Sequence, residues 1–260
     1  MKKIILSFAL VTFGLTSLFA NVTKDQCSQK GEKFIYAGGE CIQFYEAAGD
    51  AEGSLNIVVH GTWPAGTNTL ARYGTFADNL VMNTDITTVA VALPGYSNSS
   101  TNKFQALAHK GTKNLSSNKE YIEFLNDLVV ALKDKYEAKK VNYIGHSAGA
   151  RIGATLVGYN PELITTITAA GGSYTLNEDD TSKSAVAISS YINNVKDTKF
   201  LLIYGTADKI SKPEVTKSFY KVAKEKGINV TLVEVAGAPH LDLDMTDTSV
   251  EAITALVTEE

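Results

Sequence analysis

The sequence predicts an α/β fold in which a mostly parallel β-sheet carries helices on both faces. Three observations predict it: short apolar runs typical of buried strands, helical patterns between those runs, and glycine or proline where the runs end. Strands of a parallel sheet are continuously apolar because helices cover both of its faces. The chain has 260 residues, of which 44% are hydrophobic and 20% charged, which suits one such domain.

Six apolar runs predict the parallel strands, and each ends close to a glycine or proline. Two shorter runs, Phe34–Tyr36 and Cys41–Tyr45, flank Gly38 and Gly39 and predict an antiparallel hairpin at one edge of the sheet. The six predicted strands are Leu55–His60, Ile86–Leu93, Lys140–Ile144, Ile164–Ala170, Lys199–Tyr204 and Asn229–Val235.

Two of the predicted helices have starts that the sequence marks. Ser117 with Glu120, and Ser211 with Glu214, fit the capping-box pattern, in which a serine side chain accepts a hydrogen bond from an amide of the first turn. Gly227 follows the second of these helices and predicts its end. The segment 248–260 predicts a last helix.

The first twenty residues differ from the rest of the chain. A basic start, Met1–Lys3, precedes the apolar run Ile4–Phe19, and Ala20 precedes a polar stretch. This is the pattern of a secretory signal peptide, which predicts a single mature domain over residues 21–260 and a periplasmic or extracellular location. An uncleaved membrane anchor is the alternative.

Charge and hydropathy exclude several partner classes. The formal net charge is -4, which provides no basic surface for nucleic acid or for an anionic membrane. No apolar run near 18 residues follows the N-terminal segment, so no membrane span is expected after signal cleavage.

The chain has two cysteines, Cys27 and Cys41, near the predicted mature N-terminus. In an oxidising compartment such a pair most simply forms one disulfide, which would stabilise the fold by roughly 3 kcal/mol. A metal site is not expected at these cysteines, because no histidine lies near them in the sequence and their spacing fits no zinc pattern. No other feature points to a metal or an organic cofactor.

The sharpest motif is G-H-S-A-G at residues 145–149. It follows the strand that ends at Ile144 and opens an Ala- and Gly-rich helical run, which is the context of a nucleophile elbow. The pattern predicts Ser147 as a nucleophile, with the amide of Ala148 facing a developing oxyanion. An ordinary strand-to-helix turn is the alternative.

A serine nucleophile needs a base, and the chain has four histidines. His60 and His146 lie within other motifs, and His109 lies in a polar stretch that favours a surface position. His240 follows the last predicted strand, at the same edge of the sheet as Ser147, and is therefore the predicted base. A solvated loop histidine is the alternative.

The base needs an acid that orients it. Asp208 follows the strand that ends at Tyr204, one strand before the histidine, and is the predicted acid. Asp242 and Asp244 compete for the role, although residues so close in sequence to His240 would have to fold back onto its ring.

The loop His60–Trp63 follows the first parallel strand and predicts a second oxyanion donor. The amide of Thr62 would pair with that of Ala148, and His60 would brace the loop. Trp63 and Pro64 would either form a wall of the acyl pocket or pack on the helix that follows their own loop.

These residues resemble the α/β-hydrolase superfamily over nearly all of the mature chain. The order Ser147, Asp208, His240 and the G-H-S-A-G elbow are those of the superfamily, and the loop Leu93–Ser100 is similar to its P-G-x-G-x-S loop, with Ser97 in place of glycine. The single glycine after His60 separates the chain from esterases that have a G-G-G run there.

The resemblance implies an α/β-hydrolase fold with little or no cap domain, because only about thirty residues separate Ala170 from Phe200. A small helical flap over 184–195 fits in that space. The resemblance implies an exported serine hydrolase, carboxylesterase- or lipase-like, that cleaves a small or acyl ester, thioester or amide without a cofactor. Trp63, Tyr96 and Tyr174 are expected to line the substrate site.

Three other functions remain open at this point. A peptidase or an acyltransferase would use the same residues on the same scaffold. A binding module that has lost its activity would keep the scaffold alone.

Overall fold

The computed structural model describes residues 22–63, 67–96, 115–178, 180 and 183–259. The predicted signal peptide, Pro64, His109 and the loop after Tyr96 lie outside the described residues.

The described residues form an eight-stranded sheet in the order β1-β2-β4-β3-β5-β6-β7-β8. All neighbouring strands from β4 to β8 along this order are parallel, and β2 is antiparallel to both β1 and β4. The predicted parallel strands and the edge hairpin are thus confirmed. The strands are β1 (Phe34–Ala37), β2 (Glu40–Ala47), β3 (Ala51–Val59), β4 (Ile86–Val91), β5 (Lys140–His146), β6 (Thr166–Ala170), β7 (Lys199–Gly205) and β8 (Val230–Val235).

Helices cover both faces of the sheet, as predicted. One apolar layer packs under α2 and α6, and the other packs under α3, α4 and α5. Alternate residues of a strand enter opposite layers: Tyr143 of β5 joins one and Ile144 the other. The helices are α1 (Lys24–Ser28), α2 (Thr69–Thr84), α3 (Lys119–Lys135), α4 (Ala148–Tyr159), α5 (Pro213–Glu225) and α6 (Asp247–Thr258).

The predicted capping box at the start of α3 is wrong. Asn118 is the N-cap, and its side chain accepts a hydrogen bond from the amide of Glu120 at 2.8 Å. Ser117 donates its hydroxyl proton to the carboxylate of Asp180 at 2.5 Å. The Ser117 side chain therefore bonds to a carboxylate from another part of the fold and does not cap the helix in the way that the local pattern predicted.

The predicted box at the start of α5 is wrong for a similar reason. Lys212 is the N-cap and makes no side-chain capping bond, while Pro213 occupies the first turn. Ser211 donates instead to the carbonyl oxygen of Gly172 at 2.6 Å. The predicted end of the helix is confirmed, since Gly227 has φ +74° just after the last turn.

The segment between β6 and β7 is short, and it holds no cap domain in its described part. Two single 3₁₀ turns, Ile188–Ser190 and Ile192–Asn194, occupy the place predicted for a helical flap. None of the described helices is long and apolar enough to cross a membrane.

The predicted disulfide is present. Cys27 of α1 is bonded to Cys41 of β2, with a Cα–Cα distance of 5.4 Å, and both residues are fully buried. The bond ties the start of the described chain to the edge hairpin.

Candidate active site

Ser147 lies in the sharp turn between β5 and α4, with φ 54° and ψ -115°. A non-glycine residue in this region of backbone conformation is strained, as a nucleophile elbow requires. A Cβ at position 145 would lie 2.7 Å from the Gly149 carbonyl, and one at position 149 would overlap the carbonyl oxygen of Val59. The elbow therefore needs glycine on both sides of the serine, and the strand–turn–helix context is as predicted.

His240 lies between Ser147 and Asp208. Its Nε2 is 2.8 Å from the Ser147 Oγ, and its Nδ1 is 2.8 Å from an Asp208 carboxylate oxygen. An ionised carboxylate only accepts hydrogen bonds, so in the neutral ring Nδ1 carries the proton. Nε2 then has a free lone pair that faces the serine hydroxyl. The fold thus brings together the three residues that the sequence singled out.

Asp208 is held from its other side by the main chain. Its side chain is fully buried, and Oδ1 accepts hydrogen bonds from the amides of Ile210 and Ser211, each at 2.8 Å. The competitors make no hydrogen bond to the His240 ring among the described contacts. Asp242 pairs with Arg72, and burial raises the pKa of Asp244.

The loop after β3 runs directly beside the nucleophile. A Cβ at Gly61 would lie only 2.7 Å from the Cβ of Ser147, so the main chain approaches closely where it leads to Thr62. Ala148 is the first residue of α4, where amides have no acceptor within the helix and the helix dipole favours negative charge. The surroundings of both amides fit the predicted oxyanion site.

His60 braces this loop through the main chain, as the sequence predicts. Its Nε2 accepts a hydrogen bond from the amide of Leu93 at 3.0 Å, and its Nδ1 donates to the carbonyl of Gly61 at 2.7 Å. Burial lowers the pKa of His60 to about 4, so the ring is neutral at physiological pH.

His146 makes a contact that the sequence did not predict. Its Nε2 donates to the main-chain carbonyl of His240 at 2.8 Å, and the two rings lie 4.9 Å apart. The residue before the nucleophile therefore anchors the loop that carries the predicted base.

A small pocket of about 240 Å³ opens beside Ser147 and His240. Most of its other lining side chains in the described chain are polar, and none of these polar residues is predicted for this role from the sequence. The sequence does mark Arg151 as unusual, because it is the only charged residue in the apolar run of α4. No group of three potential metal ligands occurs among the described residues. The remaining lining residues are Ser116, Ala148, Arg151, Gly171, Ser173, Asn177, Ile210 and Ser211.

The three aromatic residues predicted to line the site are not among the described lining residues of this pocket. Tyr174 is buried and stacks on Phe219, with ring centroids 4.2 Å apart. Tyr96 is buried edge-on against Tyr121. Trp63 packs on α2, with the Arg72 guanidinium 5.0 Å from its ring, which agrees with the alternative prediction for that loop.

Comparisons with known proteins agree with this architecture. Residues 56–188 match the family model described as alpha/beta hydrolase fold. The solved structure of a dienelactone hydrolase from Anabaena variabilis is similar, with a TM-score of 0.60 at 16% identity, covering 86% of this chain and 93% of that one. The esterase PE8 gives a TM-score of 0.59 at 18% identity, covering 82% and 95%. These two likenesses concern the fold, and no curated protein matches the chain.

Proposed function

The chain belongs to the α/β-hydrolase fold family, and on that premise we propose that it is an exported serine hydrolase that cleaves carboxylic esters through Ser147, His240 and Asp208. The single observation that carries the proposal is the pair of 2.8 Å contacts that link the serine hydroxyl, the imidazole and the buried carboxylate. Such an arrangement activates a serine, which is a weak nucleophile by itself.

The first half of the proposed reaction forms an acyl-enzyme. The Ser147 oxygen attacks the ester carbonyl carbon while Nε2 of His240 takes the hydroxyl proton. The tetrahedral intermediate collapses when the C–O bond to the leaving group breaks, and the imidazolium returns the proton to the departing alkoxide. Asp208 stays ionised and stabilises the positive charge on the ring.

The second half releases the acid. Water attacks the acyl carbon while His240 takes one of its protons, and the bond to the Ser147 oxygen then breaks as that proton passes to it. The enzyme returns to its starting state, and the net reaction is ester plus water giving acid plus alcohol.

The amides of Ala148 and Thr62 would hold the oxyanion in both halves. Preorganised amide donors stabilise charge that develops in the transition state, and each is worth roughly 3 kcal/mol. The close approach of Gly61 to Ser147 supports this placement of the Thr62 loop.

The names of two similar structures support ester cleavage as the proposed reaction. One of these proteins is an esterase and the other a dienelactone hydrolase, and both names denote hydrolysis of esters. The fold by itself does not select a substrate.

Labelling with a fluorophosphonate tests the proposal directly. An activated serine displaces fluoride and gains a stable phosphonyl group, which intact mass and peptide mapping locate. We expect one adduct, on Ser147, and none in Ser147→Ala. Ser218→Ala, which changes an exposed serine of α5, serves as the matched control and should label like the natural protein. Absence of an adduct from folded protein would contradict the proposed activity.

We also infer that residues 1–20 direct export and that 21–260 form the mature domain, in the periplasm or outside the cell. The disulfide between Cys27 and Cys41 supports this, because such bonds persist in oxidising compartments. Intact mass of the exported protein tests the cleavage site. A chain that begins at Asn21 is expected, and a membrane-bound chain that retains the leader would favour the anchor instead.

A further inference from the structure

We propose that the pocket beside Ser147 selects short acyl groups that carry a hydroxyl, and that Ser173 and Ser211 recognise this hydroxyl. The inference rests on the proposed ester hydrolysis and adds a substrate class to it. It comes from the polar side chains among the described lining residues and from the hydrogen bonds that hold two of them.

Most of the described residues that line the pocket have polar side chains. Among the described lining residues, only Ala148 and Ile210 have apolar side chains, and Ile210 is 78% exposed. Most of the rest are polar side chains from four separate segments of the chain, namely Ser116, Arg151, Ser173 with Asn177, and Ser211. An acyl group bound there therefore lies beside hydroxyl and amide groups, with which a polar substituent can form hydrogen bonds.

A buried ion pair forms the base of the polar wall. Arg151 lies one helical turn after Ser147, and its side chain is 3% exposed. Its guanidinium donates to the carboxylate of Asp180 at 2.6 Å and to the Oγ of Ser173 at 2.9 Å. Asp180 also accepts from the hydroxyl of Ser117 and the amide of Asn177. These contacts fix the position of Ser173.

The Ser173 hydroxyl accepts a hydrogen bond from Arg151, and its own proton is available for donation. A guanidinium has no acceptor, so the Ser173 oxygen receives the Arg151 hydrogen bond and its own proton must point elsewhere. No acceptor for that proton occurs among the described residues. The neighbouring positive charge polarises the hydroxyl and strengthens it as a donor.

Ser211 has the opposite role. Its proton goes to the carbonyl of Gly172 at 2.6 Å, so its oxygen presents lone pairs to the pocket that it lines. A substrate hydroxyl both donates and accepts, and it matches a donor on Ser173 and an acceptor on Ser211.

Charge argues for a neutral group over an acidic one. Asp180 balances the charge of Arg151 within the wall, and Asp208 adds a further carboxylate behind His240. A substrate carboxylate would therefore meet no net positive charge. The volume of about 240 Å³ lies below the roughly 300–1,000 Å³ of sites for drug-sized ligands, which favours a short acyl group.

The test compares ethyl esters that share one leaving group, followed by acid release in a pH-stat. Ethyl 2-hydroxybutyrate and ethyl 3-hydroxybutyrate are set against ethyl butyrate, ethyl octanoate and monoethyl succinate. One neutral hydrogen bond to the substrate changes kcat/KM by about threefold to tenfold. We therefore expect kcat/KM to be higher by that factor for a hydroxybutyrate ester than for ethyl butyrate. Octanoate and the acidic ester should be poorer still.

Ser173→Ala should remove the preference, bringing the ratio of hydroxybutyrate to butyrate close to one. A merely structural role would lower kcat/KM for both esters together and leave the ratio unchanged. The exposed control Ser218→Ala should keep the natural ratio. Preference for butyrate, octanoate or the acidic ester in the natural protein would overturn the inference.

Fluorophosphonate labelling of the same preparation shows whether the proposed substrate class fails alone or together with the proposed serine hydrolase activity. A labelled Ser147 with no hydroxyl preference overturns the substrate class and leaves the serine hydrolase intact. A folded protein that neither labels nor hydrolyses any of the esters overturns both.

Discussion

Two histidines at the same edge of the sheet differ in almost everything but their position. His60 follows β3 and His240 lies in the loop after β8, so both stand near the carboxyl ends of parallel strands. His60 is 1% exposed and bonds only to main-chain groups among the described residues. His240 has a 12% exposed side chain that joins a carboxylate to a serine hydroxyl.

The partners, and not the position, assign the chemistry. Main-chain hydrogen bonds hold the His60 ring in place, and burial lowers its pKa to about 4 although the bond to the Gly61 carbonyl acts in the opposite direction. A buried carboxylate on one side of His240 stabilises the charged ring that forms when the other side takes a proton. The comparison predicts that substitutions of His240 and its partner affect turnover, whereas those of His60 affect stability.

The largest effect is expected for His240→Ala. Loss of the base should lower kcat/KM for an ester by a factor on the order of 10⁶, because the serine can no longer transfer its proton. Urea unfolding should show little change, since the side chain is near the surface of the pocket. Steady-state kinetics with ethyl butyrate measures the loss, and retention of more than a tenth of the activity would contradict the role assigned to this residue.

Asp208→Asn should have the next largest effect, a loss of about 10⁴-fold in kcat. The amide can keep its oxygen towards the two main-chain donors, which turns its NH₂ group towards Nδ1. The ring then places its proton on Nε2, facing the serine, and cannot act as a base. Asp242→Asn is the matched control, and an equal loss there would contradict the choice of Asp208.

The smallest effect is expected for His60→Gln. The side chain can still accept from Leu93 but loses the bond to Gly61, so the free energy of unfolding at pH 7 should fall by about 1 kcal/mol. We expect kcat/KM to fall less than tenfold. A loss comparable to that of His240→Ala would show that His60 takes part in the chemistry.

The natural protein and His60→Gln should also differ in how their stability changes as the pH falls. Because the pKa of His60 is lowered to about 4 in the folded state, the unfolded chain binds a proton first as the pH falls below 6.5. The natural protein should therefore lose about 1.4 kcal/mol of stability per pH unit between 6.5 and 4 through this residue. His60→Gln lacks this loss, so the two stability curves should converge and then cross in urea titrations. Asp244, whose raised pKa acts in the opposite direction, is present in both proteins and cancels in the difference.

Most of the sheet and the residues of the proposed triad could be predicted from the sequence. Buried strands are continuous apolar runs, and the elbow shows in the sequence through Gly145 and Gly149, which lie two residues to either side of Ser147. His240 and Asp208 were found because parallel strands bring their carboxyl ends to one edge. These signals are local, or follow from strand order alone.

The pocket wall could not be predicted in the same way. Ser117 and Ser211 stand where a local pattern places helix caps, yet they bond to Asp180 and Gly172 from distant parts of the chain. Tyr174, expected beside the substrate, stacks on Phe219 of α5 instead. Each of these side chains has two competing uses, one local and one tertiary.

The sequence by itself thus determined the sheet, the elbow and the order of the residues proposed to react. Backbone sterics and strand burial act within a few residues, so the chain records them directly. Only the tertiary structure decided which serines face the pocket and what Arg151 pairs with. A buried charge must find its counter-charge wherever the fold supplies one, and the bonds it makes there outweigh those of a helix end.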